Sequence, residues 1–253
     1  MTTWQLPPAL QHLHGQFGSL DDIFKLNGPR VSYARDFSEV VRVEIDGQQY
    51  YVKRYQAAGK GIRRFFGKPR IQREWENLLH FDEWGIPTAP LVAYGMEYRY
   101  GLFRRGAMIT AAIPDSIDLL SLATNHDPRL RDRQWVAHIS SQIAAITRAL
   151  HAKKFIHGDL KWRNILVNEN GEIFLIDSPC GTTWSGSFLK YRIKKEIFGL
   201  DRYARRFGLS RSQRLRFFLQ YLDTPRLDNQ AKIWLREIMA YRFRRDQQGK
   251  NKQ

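Results

Sequence analysis

Four polar residues in the middle of the chain have types and spacing that suit phosphoryl transfer. Asp159 follows a His-Gly pair, Lys161 and Asn164 come shortly after it, and Asp177 ends an apolar run 18 residues after Asp159. In phosphoryl transfer the acceptor hydroxyl must be held in line, and the charge on the transferred group must be neutralised. This constellation therefore predicts a kinase-like active site.

Each of these residues has a role that its chemistry allows. Asp159 is the candidate general base, which accepts the proton of the acceptor hydroxyl, and Lys161 is the candidate contact to the γ-phosphate of ATP. Asn164 and Asp177 offer the amide and carboxylate oxygens that Mg²⁺ prefers. The expected catalytic residues are thus Asp159 and Lys161, and the expected metal ligands are Asn164 and Asp177.

The surrounding sequence supports this interpretation. Residues 156–166 read IHGDLKWRNIL and match the protein-kinase catalytic-loop pattern H-x-D-L-K-x-x-N, with Gly158 where that pattern has Arg. The HGD variant is typical of small-molecule and atypical kinases. A His-Gly-Asp triplet alone is ordinary turn chemistry. Here, however, β-type runs at 165–167 and 173–176 separate the four polar positions, and chance does not explain that register.

Such a loop needs an upstream lysine that anchors the ATP phosphates and a helical glutamate that pairs with it. Residues 40–55 have the pattern of a β-hairpin around an Asp46-Gly47 turn, and Lys53 lies near the end of its second strand. Pro69 then opens a helical pattern that carries Glu74. Taken alone, both charges would be expected on the surface. Together with the catalytic loop they predict an ion pair at an ATP site.

Two segments depart from the protein-kinase pattern. Residues 27–45 contain no G-x-G-x-x-G phosphate loop, so the backbone amides of residues 34–38 are left to cap the phosphates. A loop without glycine approaches phosphates less closely. The metal segment reads Asp177-Ser178-Pro179 in place of D-F-G, and Pro179 stiffens it. We expect a metal segment that does not flip between two states.

The composition limits the possible fold classes and the cellular compartment of the protein. With 253 residues, of which 43% are hydrophobic, the chain suits one two-lobed globular domain with a sizeable core. Cys180 is its single cysteine, so no internal disulfide is expected. The first residues lack the apolar core of a signal peptide, and no run approaches the ~20 apolar residues that span a bilayer. We expect a cytoplasmic protein whose membrane contact is peripheral.

The net charge of +16 indicates a polyanionic partner. The stretch 47–73 holds no acidic residue, and its Lys and Arg residues surround Phe65 and Phe66. Cations around an exposed aromatic pair suit an anionic lipid surface, where each charge is worth ~1 kcal/mol. The same stretch is equally consistent with a solvated loop. DNA is not an expected partner.

The C-terminal third is predicted to be helical and basic. Apolar residues recur at helical spacing, and Ser210 is a predicted N-cap. The basic segments 190–195 and 236–245 are available for a partner, whereas the polar tail 247–253 is predicted to be disordered. Together with the long helix that leads into the catalytic loop, the predicted helices are 135–153, 188–207, 210–222 and 229–243.

The chain resembles the lipopolysaccharide core kinases of the WaaP/InaA type, which phosphorylate inner-core sugars in Gram-negative bacteria. The resemblance extends past the shared kinase core into residues 207–217. It implies an α+β, two-lobed protein-kinase-like fold, with a small antiparallel-sheet N-lobe at about 20–111 and a mainly helical C-lobe at about 112–246. The segments that carry it are Tyr51-Val52-Lys53, Arg73-Glu74-Trp75, Gly85-Ile86-Pro87-Thr88, Val92-Ala93-Tyr94-Gly95, the catalytic loop and Ile176-Asp177.

The resemblance also implies the cofactors, the acceptor and the location. ATP would be held by Lys53 and Glu74 at its phosphates, and by the Ala111 carbonyl and the Ile113 amide at its adenine, with Mg²⁺ on Asn164 and Asp177. The acceptor would be a sugar hydroxyl, of heptose or Kdo, in the lipid A-core oligosaccharide. That acceptor is anionic and lies on the inner leaflet while it is built, which suits a basic peripheral enzyme.

Two other function classes remain open. RIO-type and related atypical kinases also use HGD loops, are basic, and act near RNA or ribosomes. A kinase fold without activity, used as a binding module, is a third class, although every catalytic position is occupied. Phosphate found on core oligosaccharide after incubation with ATP would separate the three. The sequence defines neither the sugar hydroxyl that is used nor the oligomeric state.

Overall fold

The computed structural model describes residues 1–34, 38–56 and 67–250, with the side chains of 32–34 and 241–250 left aside. The chain divides into two compact units. The first, here called the sheet unit, consists of Met1–Pro114 and Ser178–Cys180. The second, here called the helical unit, consists of Asp115–Asp177 and Gly181–Gln253.

The sheet unit is built on an antiparallel sheet whose six strands, in the described residues, are β1 (Thr2–Gln5), β2 (Arg30–Ala34), β3 (Ser38–Ile45), β4 (Gln48–Tyr55), β5 (Leu91–Arg99) and β6 (Leu102–Ala111). Their order is β1-β5-β6-β4-β3-β2. The predicted hairpin is confirmed, since β3 pairs with β4 along its whole length. Asp46 and Gly47 both have positive φ, which a tight two-residue hairpin turn requires.

The first residues belong to the sheet unit, although the N-lobe was predicted to begin near residue 20. Strand β1 pairs with β5, and a Cβ on Gly95 would lie 2.1 Å from the Thr3 carbonyl oxygen, so β1 can pack here only because this residue is glycine. The Trp4 indole donates to the Phe17 carbonyl over 2.8 Å. Such a short edge strand has too few residues for a clear alternating pattern. The helical segments that follow are a 3₁₀ helix (Pro8–Leu13), α1 (His14–Phe17) and α2 (Leu20–Lys25).

Helix α3 (Arg70–Glu83) confirms the helix predicted after Pro69. Its buried positions recur at helical spacing and pack Trp75, Leu78 and Phe81 inward. Glu74 lies on the same buried face and is only 2% exposed. A buried carboxylate costs free energy unless it is paired, so this helix must bring Glu74 to a cation.

The helical unit follows with five helices in the described residues: α4 (Leu119–Thr124), α5 (Arg133–Ala152), α6 (Gly186–Arg206), α7 (Arg211–Leu222) and α8 (Asn229–Lys250). Two small antiparallel sheets connect them, with orders β10-β9-β7 and β11-β8. Their strands are β7 (Ile117–Asp118), β8 (Phe155–Ile156), β9 (Ile165–Val167), β10 (Ile173–Leu175) and β11 (Thr182–Thr183). Short 3₁₀ helices occupy Pro128–Arg131 and Trp162–Asn164.

Apolar side chains of α5, α6, α7 and α8 form the core of the helical unit. Residues such as Ile197, Phe198, Phe218 and Ile238 pack there away from water. Ser210 caps α7 as predicted, because its hydroxyl accepts from the Gln213 amide in a reciprocal capping box. In the part of the chain that the structure describes, no helix is both long enough and apolar enough to cross a bilayer.

Helix α8 is described through Lys250, and residues 251–253 lie outside the described part of the chain. Disorder of the tail 247–253 stays a prediction.

Candidate active site

The Lys53–Glu74 ion pair predicted from the sequence is present in the sheet unit. Lys53 Nζ donates to Glu74 Oε1 over 2.6 Å, and the Tyr55 hydroxyl donates to Glu74 Oε2 over 3.2 Å. Lys53 and Tyr55 are two residues apart on β4, so their side chains leave the same face of the sheet. Both glutamate oxygens are therefore occupied, which holds the ammonium group of Lys53 in one place.

A second polar residue of α3 contacts the segment that follows Asp177. Asn77 Nδ2 donates to the Ser178 carbonyl over 2.6 Å, and both residues are buried. Asn77 lies one turn after Glu74, on the same face of α3. This contact agrees with the stiffness expected of the segment around Pro179. The sequence pattern missed Asn77, because its partner is 101 residues away.

The predicted adenine-contact residues lie at the end of the sheet unit. Ala111 ends β6, and its amide donates to the Pro90 carbonyl over 2.9 Å. The next amide, of Ala112, donates to the Gln49 carbonyl over 2.8 Å. Ile113 follows directly and belongs to the same unit. Contact of Ala111 and Ile113 with adenine stays a prediction.

The predicted phosphate loop and the predicted membrane stretch lie partly outside the described residues. Of the non-glycine phosphate loop, residues 35–37 are not described. The same holds for 57–66, which contain the aromatic pair of the predicted membrane stretch. Among the described cations of that stretch, Arg54 is buried and paired with Glu39 over 3.1 Å, so it does not contribute to a surface charge.

In the helical unit, the catalytic loop gathers three side chains on Asp159. Lys161 and Arg163 both pair with its carboxylate, the second over 3.0 Å. Asn164 Nδ2 donates to the Asp159 carbonyl over 2.8 Å and to its Oδ2 over 3.1 Å. Arg163 was not among the predicted site residues, although it lies in the catalytic loop between Lys161 and Asn164.

These contacts keep Asp159 ionised. Burial raises the pKa of its carboxyl, but hydrogen bonds from Lys161 and Arg163 outweigh burial and hold the pKa below the ordinary value. The same pairing with Asp159 raises the pKa of Arg163. A carboxylate that is half-buried, ionised and oriented by an asparagine is suited to accept a proton from a hydroxyl.

The two predicted metal ligands are neighbours in the helical unit. The Ile176 amide donates to the Asn164 carbonyl over 3.0 Å, which places Asp177, the next residue, at the end of the same pair of strands. Asp177 has φ of 59°, in the left-handed region that non-glycine residues seldom adopt. Such backbone strain is common at functional sites and costs on the order of 1–3 kcal/mol.

The donor set suits Mg²⁺. The amide nitrogen of Asn164 is used on Asp159, so its Oδ1 is the atom left for a metal, and Asp177 offers a carboxylate oxygen as the second ligand. Within the described residues, no group of three or more His, Cys, Asp or Glu could hold a metal ion. A site with one amide and one carboxylate oxygen fits an ion that keeps several waters and binds substrate phosphates.

A buried glutamate anchors the catalytic loop from helix α6. Glu196 Oε1 accepts from the Gly158 amide over 2.6 Å, and Oε2 accepts from the His157 amide over 3.3 Å. Its Oε2 also bonds His151 Nε2 over 3.1 Å, and the other ring nitrogen of His151 bonds the Tyr221 hydroxyl over 2.8 Å. Burial raises the pKa of Tyr221. The chain of bonds fixes the backbone just before Asp159.

His157 lies in the same loop, two residues before Asp159. Its side chain is fully buried, and burial lowers its pKa against the opposing charges of Glu196, Asp177 and Asp159. The imidazole is therefore neutral at neutral pH. Since the ring is enclosed, it does not reach a substrate. Neither His157 nor Glu196 was assigned a role from the sequence, because Glu196 lies 39 and 38 residues from the two amides that donate to it.

Comparison with known proteins adds an independent result. The family described as lipopolysaccharide kinase (Kdo/WaaP) matches this chain over residues 26–221, a range that contains every predicted site residue. Over 79 residues the chain is 35% identical to the casein kinase 1-like protein HD16 of Oryza sativa subsp. japonica. That match covers 27% of this chain and only 11% of the relative.

The fold comparison covers nearly the whole chain. A solved structure described as WaaP in complex with acyl carrier protein matches with a TM-score of 0.74 and 19% sequence identity, over 97% of this chain and 98% of the other. At this identity the likeness concerns the fold alone. It confirms the predicted α+β, two-lobed, kinase-like fold.

Proposed function

We propose that this chain, which belongs to the lipopolysaccharide kinase (Kdo/WaaP) family, transfers the γ-phosphoryl group of ATP to a sugar hydroxyl of the lipopolysaccharide inner core. The observation that carries the proposal is the set of contacts on Asp159. An ionised carboxylate, two cations and an asparagine converge there, as transfer to a hydroxyl requires.

Asp159 acts as the general base. Its carboxylate accepts a hydrogen bond from the sugar hydroxyl and takes its proton as the new oxygen–phosphorus bond forms and ADP leaves. Asn164 orients the carboxylate through its Nδ2. Lys161, whose side chain is 36% exposed, can exchange its contact with Asp159 for one with the γ-phosphate.

Lys53 holds the phosphates of ATP, and Glu74 with Tyr55 holds Lys53. The backbone of Ala111 and Ile113 contacts the adenine. Asn164 and Asp177 would hold Mg²⁺, which when bound neutralises charge on the β- and γ-phosphates. The residues of this chain thus bind the nucleotide, orient the base and accept the proton.

The proposed acceptor is a heptose or Kdo residue, and the proposed location is the cytoplasmic face of the inner membrane. The net charge of +16 supports both, since the acceptor and the inner leaflet are anionic. An acyl carrier protein is a further candidate partner, because the structural neighbour WaaP was solved in complex with one. Co-elution with acyl carrier protein in gel filtration is the direct check.

The test of the proposed reaction uses the purified chain, ATP, Mg²⁺ and lipid A-core oligosaccharide. We expect mass spectrometry to detect one added phosphoryl group on a core sugar, and none with the Asp159→Asn variant. Phosphate found only on added protein substrates would favour an atypical protein kinase instead. Nucleotide binding without any transfer would favour a binding module.

A further inference from the structure

A pocket in the helical unit opens directly beside the candidate base. Gly158, Asp159 and Lys161 form one side of it, and helix α6 forms the other. Its cavity volume is about 100 Å³, which is room for several waters or one ionic group. Three cations of α6 line it: Arg192, Lys195 and Arg202.

Helical spacing explains why these cations converge. Arg192, Lys195, Gly199 and Arg202 follow an i, i+3, i+7, i+10 pattern and therefore lie on one face of α6. Gly199 lies in the middle of this row, where a Cβ would meet the Leu160 carbonyl oxygen at 3.9 Å. The absence of a side chain there leaves space between the cations and the catalytic loop.

The cations of this row have no carboxylate partner in the part of the chain that the structure describes. Among the described residues, Arg192, Lys195 and Arg202 take part in no ion pair, whereas the neighbouring Lys194 pairs with Glu237 over 3.0 Å. Glu196 also lines the pocket, but its carboxylate is occupied by the backbone of the catalytic loop and by a histidine. The pocket therefore offers positive charge to a ligand.

Aromatic contacts orient the two guanidinium groups. Arg192 lies over the Trp184 ring with 4.4 Å between its Cζ and the ring centroid, and Arg202 lies 5.7 Å from the Tyr203 ring. Such contacts reduce the side-chain freedom that binding would otherwise remove. A planar, pre-oriented guanidinium is suited to carboxylate and phosphate oxygens.

We propose that the Arg192–Lys195–Arg202 pocket binds an anionic substituent of the acceptor, a carboxylate or a phosphate located close to the hydroxyl that is phosphorylated. This inference rests on the proposed function. It adds the chemical class of the acceptor, which the proposed function does not define. Because Asp159 lines the same pocket, a group held there belongs to the part of the acceptor that meets the base. The three cations are thus specificity-determining residues for an acidic sugar or an already phosphorylated core.

The first experiment measures steady-state kinetics for Arg192→Gln, Lys195→Gln and Arg202→Gln. Each should raise the KM for core oligosaccharide about tenfold, since a hydrogen bond between charged groups has that order of effect on affinity. Arg205→Gln is the matched control, because Arg205 lies on the same helix, is exposed and does not line the pocket. Arg192→Lys and Arg202→Lys keep the charge and should recover part of the loss.

The outcomes separate the two proposals. If the wild type phosphorylates no core sugar, the proposed function fails before any variant is compared. If it does and the three variants keep the acceptor KM of the Arg205→Gln control, the pocket has no role in acceptor binding. If the variants raise the KM for ATP and not the KM for the acceptor, the pocket binds nucleotide phosphates and the inference is wrong.

The second experiment identifies the anion. Core oligosaccharide is used after phosphatase treatment in one arm and after amidation of its carboxylates in the other. The modification that removes the recognised group should raise the acceptor KM of the wild type about tenfold and have little further effect on Arg202→Gln. If neither modification changes the KM, the pocket does not recognise an anion.

Discussion

At the scale of single residues, Asp159 shows how environment sets a role. Burial would favour the neutral acid, but the cations of Lys161 and Arg163 keep the carboxylate charged. Asn164 contributes in two ways, since its nitrogen orients the proposed base and its oxygen is left for the proposed metal ion. The proposed base and one proposed metal ligand thus lie within six residues, 159–164.

The first prediction concerns the base. Asp159→Asn should lower kcat by ~10²–10⁴ while the KM for ATP changes by a few fold at most, because the amide cannot take a proton. Steady-state kinetics with core oligosaccharide measures both. Asp82→Asn, an exposed change on α3, should leave both constants unaltered. Near-wild-type turnover in Asp159→Asn would remove the assignment of the base.

The second prediction concerns the metal ligand. Asp177→Ala should lose Mg²⁺-dependent nucleotide binding, because Asn164 alone supplies one neutral oxygen and cannot hold a strongly hydrated ion. Removing Mg²⁺ with a chelator should weaken nucleotide binding in the wild type but not further in the variant. Isothermal calorimetry with and without the metal tests this. Equal Mg²⁺-dependent affinities in variant and wild type would mean that another residue holds the ion.

The third prediction concerns the buried His157, whose pKa is lowered in the folded state from an ordinary value of 6.5. Below that pH the unfolded chain binds a proton that the folded chain excludes, so the free energy of unfolding falls as the pH drops. The free energy of unfolding falls by up to ~1.4 kcal/mol per pH unit in this range. Above about pH 6.5 the burial of His157 causes no such loss.

Urea unfolding at about pH 7.5 and about pH 5.5 measures this effect. The free energy of unfolding should differ less between the two pH values in His157→Gln than in the wild type, whatever the stability of the variant at neutral pH. His126→Gln, which changes an exposed histidine, should not. A pH dependence that is the same in wild type and His157→Gln would show that other groups cause it.

At the scale of elements, helices α3 and α6 carry the residues that hold the functional groups. From α3, Glu74 fixes Lys53, the proposed contact to the ATP phosphates, and Asn77 fixes the segment after Asp177. From α6, Glu196 fixes the catalytic loop through two backbone amides. Each helix presents its polar anchor within an otherwise apolar buried face, so the packing of the helix determines the position of the anchor.

The fourth prediction belongs to α6. Glu196→Ala removes the carboxylate that accepts from the amides of His157 and Gly158, so the free energy of unfolding should fall by roughly 2 kcal/mol. The kcat should fall as well, measured well below the unfolding temperature, because Asp159 is no longer held. Glu196→Gln retains one oxygen for Gly158 and should recover part of both losses.

Glu169→Ala is the control, since Glu169 is exposed in the same unit. It should change neither the unfolding free energy nor kcat. A Glu196→Ala protein that is less stable but has unaltered kcat would limit Glu196 to a structural role and exclude positioning of the base.

The elements were more predictable from sequence than their anchors. The hairpin, α3, α5 and the C-terminal helices follow from local periodicity and turn residues, which lie within a few positions of one another. Asn77 and Glu196 were missed because their partners, Ser178 and Gly158, are 101 and 38 residues away. Such contacts depend on tertiary packing, which a single sequence does not encode in any local pattern.

At the scale of the whole molecule, some of the cations are paired with carboxylates and others are exposed. Some cations are committed to carboxylates inside the units, as Lys53, Arg54 and Arg214 are. Others are exposed, and on α6 they stand beside the exposed aromatic side chains of Phe188 and Tyr191. The surplus positive charge therefore lies at the surface, where the proposed anionic lipid and acceptor would be attracted to it.

The fifth prediction concerns the proposed membrane location. The protein should sediment with vesicles that contain anionic lipid and remain in the supernatant with neutral vesicles. Raising the salt to about 1 M should release it, because exposed charges are then screened within ~3 Å. Vesicle binding that is independent of lipid charge and of salt would contradict electrostatic attachment.

The hydrogen bond from Asn77 to Ser178 has a consequence for control of the enzyme. Kinases that are switched on and off move the residues after their metal aspartate between two arrangements. Here a buried amide and a neighbouring proline hold those residues in one arrangement. We therefore expect constitutive activity, in which the rate of core phosphorylation follows the supply of acceptor and the amount of enzyme made, without a signalling input at this segment.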